Sequence, residues 1–131
     1  MGRRGLTFGV VGSRNFLDRQ LLNKILNQYN IGQVVSGGAA GADTLGVDYA
    51  KDNKIPFDEF EPDWDDLTAE PCKIKYNKNG KPYNALAGFS RNQIIVDHAD
   101  FIIAFTNGSS GTADTIKRAN KKGIPVQIVK F

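Results

Sequence analysis

Apolar positions along the chain switch repeatedly between a strand period and a helix period. Leu6-Thr7-Phe8-Gly9-Val10-Val11 is a short run rich in β-branched and aromatic residues and predicts a buried strand. Leu21, Leu22, Ile25, Leu26 and Tyr29 then recur at helical spacing, behind Asp18 as N-cap and ahead of Asn30 and Gly32 as stop signals. Residues 33–36 predict a second strand, 42–52 a helix that packs through Leu45, Val47, Tyr49 and Ala50, and 56–60 a short third strand. A helix over 89–99 starts at Ser90 as cap and turns Ile94, Ile95 and Val96 inward. Phe101-Ile102-Ile103-Ala104-Phe105 is apolar on both faces, the pattern of a parallel strand covered by helices on each side. A helix over 112–122, stopped by Gly123, and a strand over 125–129 follow. This alternation predicts an α/β Rossmann-like fold: a doubly wound, mainly parallel five-stranded sheet with helices on both faces, forming one domain over 1–131.

Residues 62–88 break the alternation. An acidic, turn-rich start, Pro62-Asp63-Trp64-Asp65-Asp66, leads to a stretch centred on Asn79-Gly80, the favoured pair of a two-residue hairpin turn. The expectation is an inserted β-hairpin with Tyr76 and Tyr83 near opposite positions, acting either as an ordered lid or as a plain surface hairpin.

Three turns follow strands, so a doubly wound sheet brings all three to its C-terminal edge, where such sheets bind ligands. The first is Gly12-Ser13-Arg14, whose guanidinium suits a phosphate or carboxylate and whose plain alternative is a pair with Asp18. The second is Ser36-Gly37-Gly38-Ala39-Ala40-Gly41-Ala42-Asp43. Glycine permits positive φ and close approach, and a helix N-terminus offers free amides to an anion. Asp43 and Thr44 are placed to cap that helix. The third is Asn107-Gly108-Ser109-Ser110-Gly111-Thr112, again rich in amides and hydroxyls at a helix start. Each alone reads as a tight turn that binds nothing; three on one edge read as phosphate-binding. None is a Walker A loop, and no G-x-G-x-x-G is present.

Composition alters this picture little. Apolar residues make up 40% of 131, charged residues 24%, and the net charge is +3. The pI near 9.0 suits an anionic ligand without the dense basic stripe of a dedicated nucleic-acid binder. Cys72 is the only cysteine, which excludes an internal disulfide and favours a reducing, cytoplasmic setting. The first residues, Met1-Gly2-Arg3-Arg4, carry no signal-like apolar run, and no apolar run is long enough for a membrane span. Asp63, Asp65 and Asp66 read as a solvated acidic loop, with Mg²⁺ binding as the alternative; no metal ligand set stands out. His98 reads as a helix-end residue. Arg91-Asn92 reads as an exposed helix start, or as a cation and amide reaching across the site; Asp43 and Asp114 read as helix-start caps or as catalytic carboxylates. Trp64, Tyr76 and Tyr83 are the candidates for stacking on a base.

Gly12-Ser13-Arg14-x-Phe16, Val35-Ser36-Gly37-Gly38-Ala39-x-Gly41-Ala42-Asp43, Ala87-Gly88-x-x-Arg91-Asn92, Ala99-Asp100 and Gly108-x-Ser110-Gly111-Thr112 resemble, in order, the YspA-type (YpsA-related) branch of the SLOG superfamily. That superfamily also holds the DNA-processing protein DprA (Smf) and the LONELY GUY phosphoribohydrolases. The resemblance implies a Rossmann-like domain that senses or processes a nucleotide or a nucleotide-derived, NAD- or ADP-ribose-like ligand. Its alternatives are N-glycosidic hydrolysis of nucleoside monophosphates and single-stranded DNA binding, and relatives often self-associate. In the hydrolase reading Arg91 matches a helix arginine of the LONELY GUY motif, and Asp114 stands for one of its two glutamates while Thr115 replaces the other. The inserted stretch resembles versions in bacteriophage genomes, which implies a phage or prophage source.

Overall fold

A computed structural model describes residues 5–131; the basic segment Met1–Arg4 lies outside the described residues. β1 (Leu6–Gly12) is the middle strand because it is apolar on both faces. It pairs in parallel with β2 (Ile31–Ser36) on one side and β6 (Phe101–Thr106) on the other. β3 (Phe57–Glu59) adds to β2 and β7 (Val126–Lys130) to β6, both parallel, giving the order β3-β2-β1-β6-β7. The order reverses between β1 and β6, so the switch point lies where their C-terminal ends separate.

Alternation along the strands divides the core in two. Phe8, Val10, Val34, Ile103 and Phe105 face α1 (Arg19–Leu26) and α2 (Ala42–Asp52), where Leu22, Leu26, Leu45 and Ala50 complete the cluster. Val11, Val35, Ile102 and Ala104 face α3 (Ala87–His98) and α4 (Ser110–Lys122), against Ile95, Val96 and Ala119. Each of these large side chains contributes about 1.5–3 kcal/mol by leaving water. Asp18 caps α1 as its residue type predicts, accepting from the Leu21 amide at 3.0 Å.

The segment between β3 and α3 holds β4 (Ile74–Tyr76) and β5 (Pro82–Asn84), an antiparallel hairpin. Its turn departs from the expected two-residue form. The Gly80 amide donates to the Asn77 carbonyl, Gly80 takes φ +78, and the Asn77 amide donates to the Lys81 carbonyl, as in a three-residue loop with a bulge. The register therefore pairs Tyr76 with Pro82 and Lys75 with Tyr83. This one-place offset puts the two tyrosines on opposite faces, contrary to the expected cross-strand pair. Asn84, fully buried, anchors the hairpin: its amide donates to the Trp64 carbonyl, and its Oδ1 accepts from the Lys73 and Leu86 amides.

Two other expectations are corrected. α3 begins at Ala87, three residues before Ser90, because Asn84 already binds the Leu86 amide and turns the chain into the helix there. Ile94 is 43% exposed rather than inward, since Ile95 and Val96 fill the sheet-facing side. His98 sits in the last turn of α3 with Nδ1 2.8 Å from the Ile94 carbonyl, in keeping with a helix-end residue.

Candidate functional site

All three special turns meet at the C-terminal edge, and Ser13 joins them. Its amide donates to the carbonyl of Phe105 at the end of β6 (2.9 Å), and its hydroxyl lies 2.8 Å from Asn107 Oδ1 and 3.1 Å from Ser109 Oγ. Its carbonyl accepts the Ala42 amide at the start of α2. Gly41 holds φ +81, and a Cβ there would collide with the carbonyl oxygens of Ser13 and Arg14. The second turn therefore packs directly on the first, and only glycine fits at the contact. Ala42 is buried in the core, so its side chain serves packing.

Two amides of the 36–43 turn are held from within. Asp43 Oδ2 accepts from the Gly37 amide at 3.1 Å and the Ala39 amide at 3.4 Å. This corrects the expected cap: Asp43 reaches back to the turn, and Gly41 stands at the N-cap of α2 with no side-chain bond. Thr44 Oγ1 likewise donates backward, to the Ala39 carbonyl. The Gly37 carbonyl accepts from Arg91 Nη1, so the backbone of this one residue bonds a cation through its carbonyl and an anion through its amide. Arg91 Nε donates to Asn92 Oδ1 at 3.0 Å. Asp43 is 4% exposed. Burial pushes its pKa up to about 6, with Arg91 and the turn amides pulling the other way. Burial also lowers the Arg91 pKa; Asp43 beside it raises it and Arg14 lowers it further. Ser36 is fully buried at the start of the turn, and its hydroxyl has no partner among the described residues. Gly37, Gly38 and Gly41 do not line the cleft.

The third turn is different. Ser109 is the N-cap of α4, but its hydroxyl donates to Thr112 Oγ1 (2.9 Å) and accepts from no amide of the helix. The amides of Ser110, Gly111 and Thr112 have no partner among the described residues. These three residues line a cleft of about 590 Å³ at the switch point. Gly12, Ser13 and Arg14 from the first turn, Asp43, Arg91 and Asn92 from the helices, and Asn107, Ser109, Ser110, Gly111 and Thr112 from the third turn all line it. Gly108 lies outside the lining, with φ +101. Arg14 makes no ion pair among the described residues, so the alternative pair with Asp18 does not form.

One end of the cleft is apolar. Trp64 is 41% exposed and rests on α3, where a Cβ on Gly88 would stand 3.2 Å from the indole. Tyr83 meets Trp64 edge-on, with centroids 6.3 Å apart, behind the cleft rather than in it. Tyr76 is 69% exposed on the other hairpin face and does not reach it. Phe89, Ile95, Ala85, Gly88, Asn15 and Thr115 also line the cleft and were not among the sequence candidates. Ile95 showed only as a helix position and Thr115 only as the residue in place of a motif glutamate; nothing in their local pattern separates a cleft wall from core.

Asp114 is not in the cleft. Its Oδ2 pairs with Arg118 Nε at 2.7 Å and accepts from Asn92 Nδ2 at 3.1 Å, and it lines a separate groove between α3 and α4. Its place one turn into α4 points it along the helix surface, away from the free amides. Asp65 pairs with Lys81 and Asp66 accepts from Thr68, and no three potential metal ligands gather among the described residues.

Residues 10–66 match the model of the YspA, cpYpsA-related SLOG family. This segment is of the SLOG type. It contains the first two turns, Asp43 and Trp64; α3, β6 and the third turn lie beyond it. No curated protein matches the chain. Among solved structures, the chain resembles DNA processing protein A from Streptococcus pneumoniae at 20% identity and a TM-score of 0.69, over 95% of this chain and 50% of that one. DNA processing protein A from Helicobacter pylori, described for its single-stranded DNA binding mode, is similar at 18% identity and a TM-score of 0.67, over 95% of this chain and 65% of that one. The molybdenum cofactor binding protein of the phototrophic bacterium Rippkaea orientalis is similar at 20% identity and a TM-score of 0.65, over 99% and 79%. At these identities the likeness is one of fold, and the chain spans half the length of the pneumococcal protein. No helix among the described residues is long and apolar enough to cross a membrane.

Proposed function

We propose that the chain binds a phosphorylated, nucleoside-type ligand in the switch-point cleft. The observation that carries this reading is the start of α4: three unpartnered amides at the positive end of a helix open into a concave site. Ser109 and Ser110 add hydroxyls, Arg14 adds an uncommitted guanidinium, and Trp64 with Phe89 offers an apolar wall for a base. SLOG kinship and the Rossmann-like fold support a nucleotide-derived ligand.

The test is a thermal-shift panel of nucleoside monophosphates, NAD, ADP-ribose and cyclic dinucleotides on wild type and Arg14→Ala. A ligand at about a hundred times its dissociation constant stabilises by about 2.7 kcal/mol, a shift of several degrees. The shift should shrink in the variant. No shift with any compound would refute the reading. A response to single-stranded DNA alone, falling steeply with salt, would move it to a DprA-like alternative.

A second reading, N-glycosidic hydrolysis, rests on Asp43. A carboxyl with its pKa at about 6, buried at the cleft wall beside Arg91, is placed for acid–base work or for steadying an oxocarbenium-like charge. Release of free base from a bound nucleotide, lost in Asp43→Asn, is its expected signature; a bound nucleotide that stays intact would remove it.

A further inference from the structure

The two glycine-rich turns at the cleft look alike in sequence and differ in what they already hold. The start of α4 presents three free amides. In the 36–43 turn, the Gly37 and Ala39 amides both point at Asp43 Oδ2. Room beside Gly37 is taken by the Arg91 guanidinium and the Asp43 carboxylate, both of which an added Cβ would strike. Over Gly38 a Cβ would stand 3.2 Å from Glu59 Oε2 and 3.4 Å from Glu61 Oε1. Three carboxylates thus surround the turn expected to cradle a second phosphate. Arg91 is committed as well, to the Gly37 carbonyl and to Asn92.

We propose that Asp43 sets the number of phosphates the cleft accepts: its carboxylate is the resident anion of the 36–43 turn, so the ligand carries a single phosphate, seated at α4. This deepens the binding reading above and rests on it. A second phosphate would find the Gly37 and Ala39 amides already bonded to Asp43 and would face a fixed like charge. With the pKa of Asp43 at about 6, that charge is present at pH 7.5. Close like charges in a solvent-open cleft correspond to about tenfold in affinity after screening.

The experiment is calorimetric titration at pH 7.5 with three pairs: AMP and ADP, GMP and GDP, and inorganic phosphate and pyrophosphate. Wild type and Asp43→Asn are compared. Asn keeps an oxygen for the Gly37 and Ala39 amides and removes the charge. In wild type the diphosphate of a pair should bind no tighter than the monophosphate. In Asp43→Asn the ratio of diphosphate to monophosphate affinity should rise about tenfold. A wild-type preference for diphosphates of tenfold or more overturns the proposal while leaving the binding reading intact. So does a ratio unchanged by the substitution. Should the variant fail to fold, the wild-type ratio decides alone. Failure of all six compounds to bind removes both readings.

Discussion

Gly111 separates a binding role of α4 from a structural one. It is the second residue of the helix and lines the cleft; a Cβ there meets no protein atom within 4 Å. Gly111→Ala therefore costs no packing and removes backbone freedom from the unfolded chain. Glycine within a helix is worse than alanine by about 0.5–1 kcal/mol, and the first turn takes the lower end. The free protein should gain about 0.5 kcal/mol, or one to two degrees at the midpoint. The same methyl enters open space beside the three free amides. An anion bonded to those amides would have to move by about a methyl radius, which forfeits hydrogen bonds each worth about 1 kcal/mol or more to a charged group. Loss of two lowers affinity by at least about thirtyfold. The assay is thermal shift with and without the best ligand of the panel. The expected result is a higher midpoint without ligand and a much smaller shift with it. A variant that binds as tightly as wild type refutes the assignment of α4 as the phosphate seat.

Three further outcomes follow from the same geometry. Asp43 has a folded pKa near 6 against 3.8 when unfolded, so its stabilising contribution is fully present below pH 3.8 and is lost as pH rises through about 6. Stability from urea unfolding should rise by up to about 3 kcal/mol from pH 7 to pH 4, and this rise should vanish in Asp43→Asn; an unchanged slope in the variant would place the titration elsewhere. Asp97, held low by Gln93 and Lys122, acts only below that window. Trp64 is the only tryptophan, so its emission should report binding, and Trp64→Ala should weaken a base-bearing ligand about tenfold while leaving inorganic phosphate unaffected; equal losses for both would argue against stacking. Gly41→Ala should destabilise by about 2 kcal/mol or more in chemical denaturation, because positive φ and two carbonyl oxygens oppose its Cβ; a neutral result would mean that the two turns are not in contact.

The sheet was legible because its signals are local. The run 101–105 is apolar on both faces and lies inside the sheet, and the switch of period at each element marks the order of strands and helices. The edge where the three turns meet followed from the fold class, since each turn succeeds a strand. The hairpin register was not legible, because Asn79-Gly80 suits a two-residue turn and a bulged three-residue turn alike; hydrogen bonding by Asn77 selects the second. The apolar end of the cleft was hidden for another reason. Trp64 reaches it through Asn84, twenty residues on, whose amide holds the Trp64 carbonyl, and no sequence pattern announces a buried asparagine as an anchor.

The harder distinction lies between two turns of nearly the same composition. Both place glycines between a strand and a helix, and both carry a polar residue at the helix start. Whether that residue bonds its own helix or reaches back into the turn depends on backbone angles that residue type does not specify. At Gly38 and Gly41, φ values of +72 and +81 fold the chain back so that Asp43, six residues after Gly37, meets the Gly37 amide. At the start of α4 the corresponding polar groups are hydroxyls, which bond one another through Ser13, Ser109 and Thr112 and leave the amides free. The chemical difference is small: a carboxylate, longer than a hydroxyl and acceptor-only, fills an anion site that hydroxyls leave open. A glycine-rich strand–helix turn thus reads as a candidate phosphate seat only after the carboxylates bonded to its amides have been counted, and here Asp43 holds two amides of one turn while no carboxylate bonds the first amides of α4.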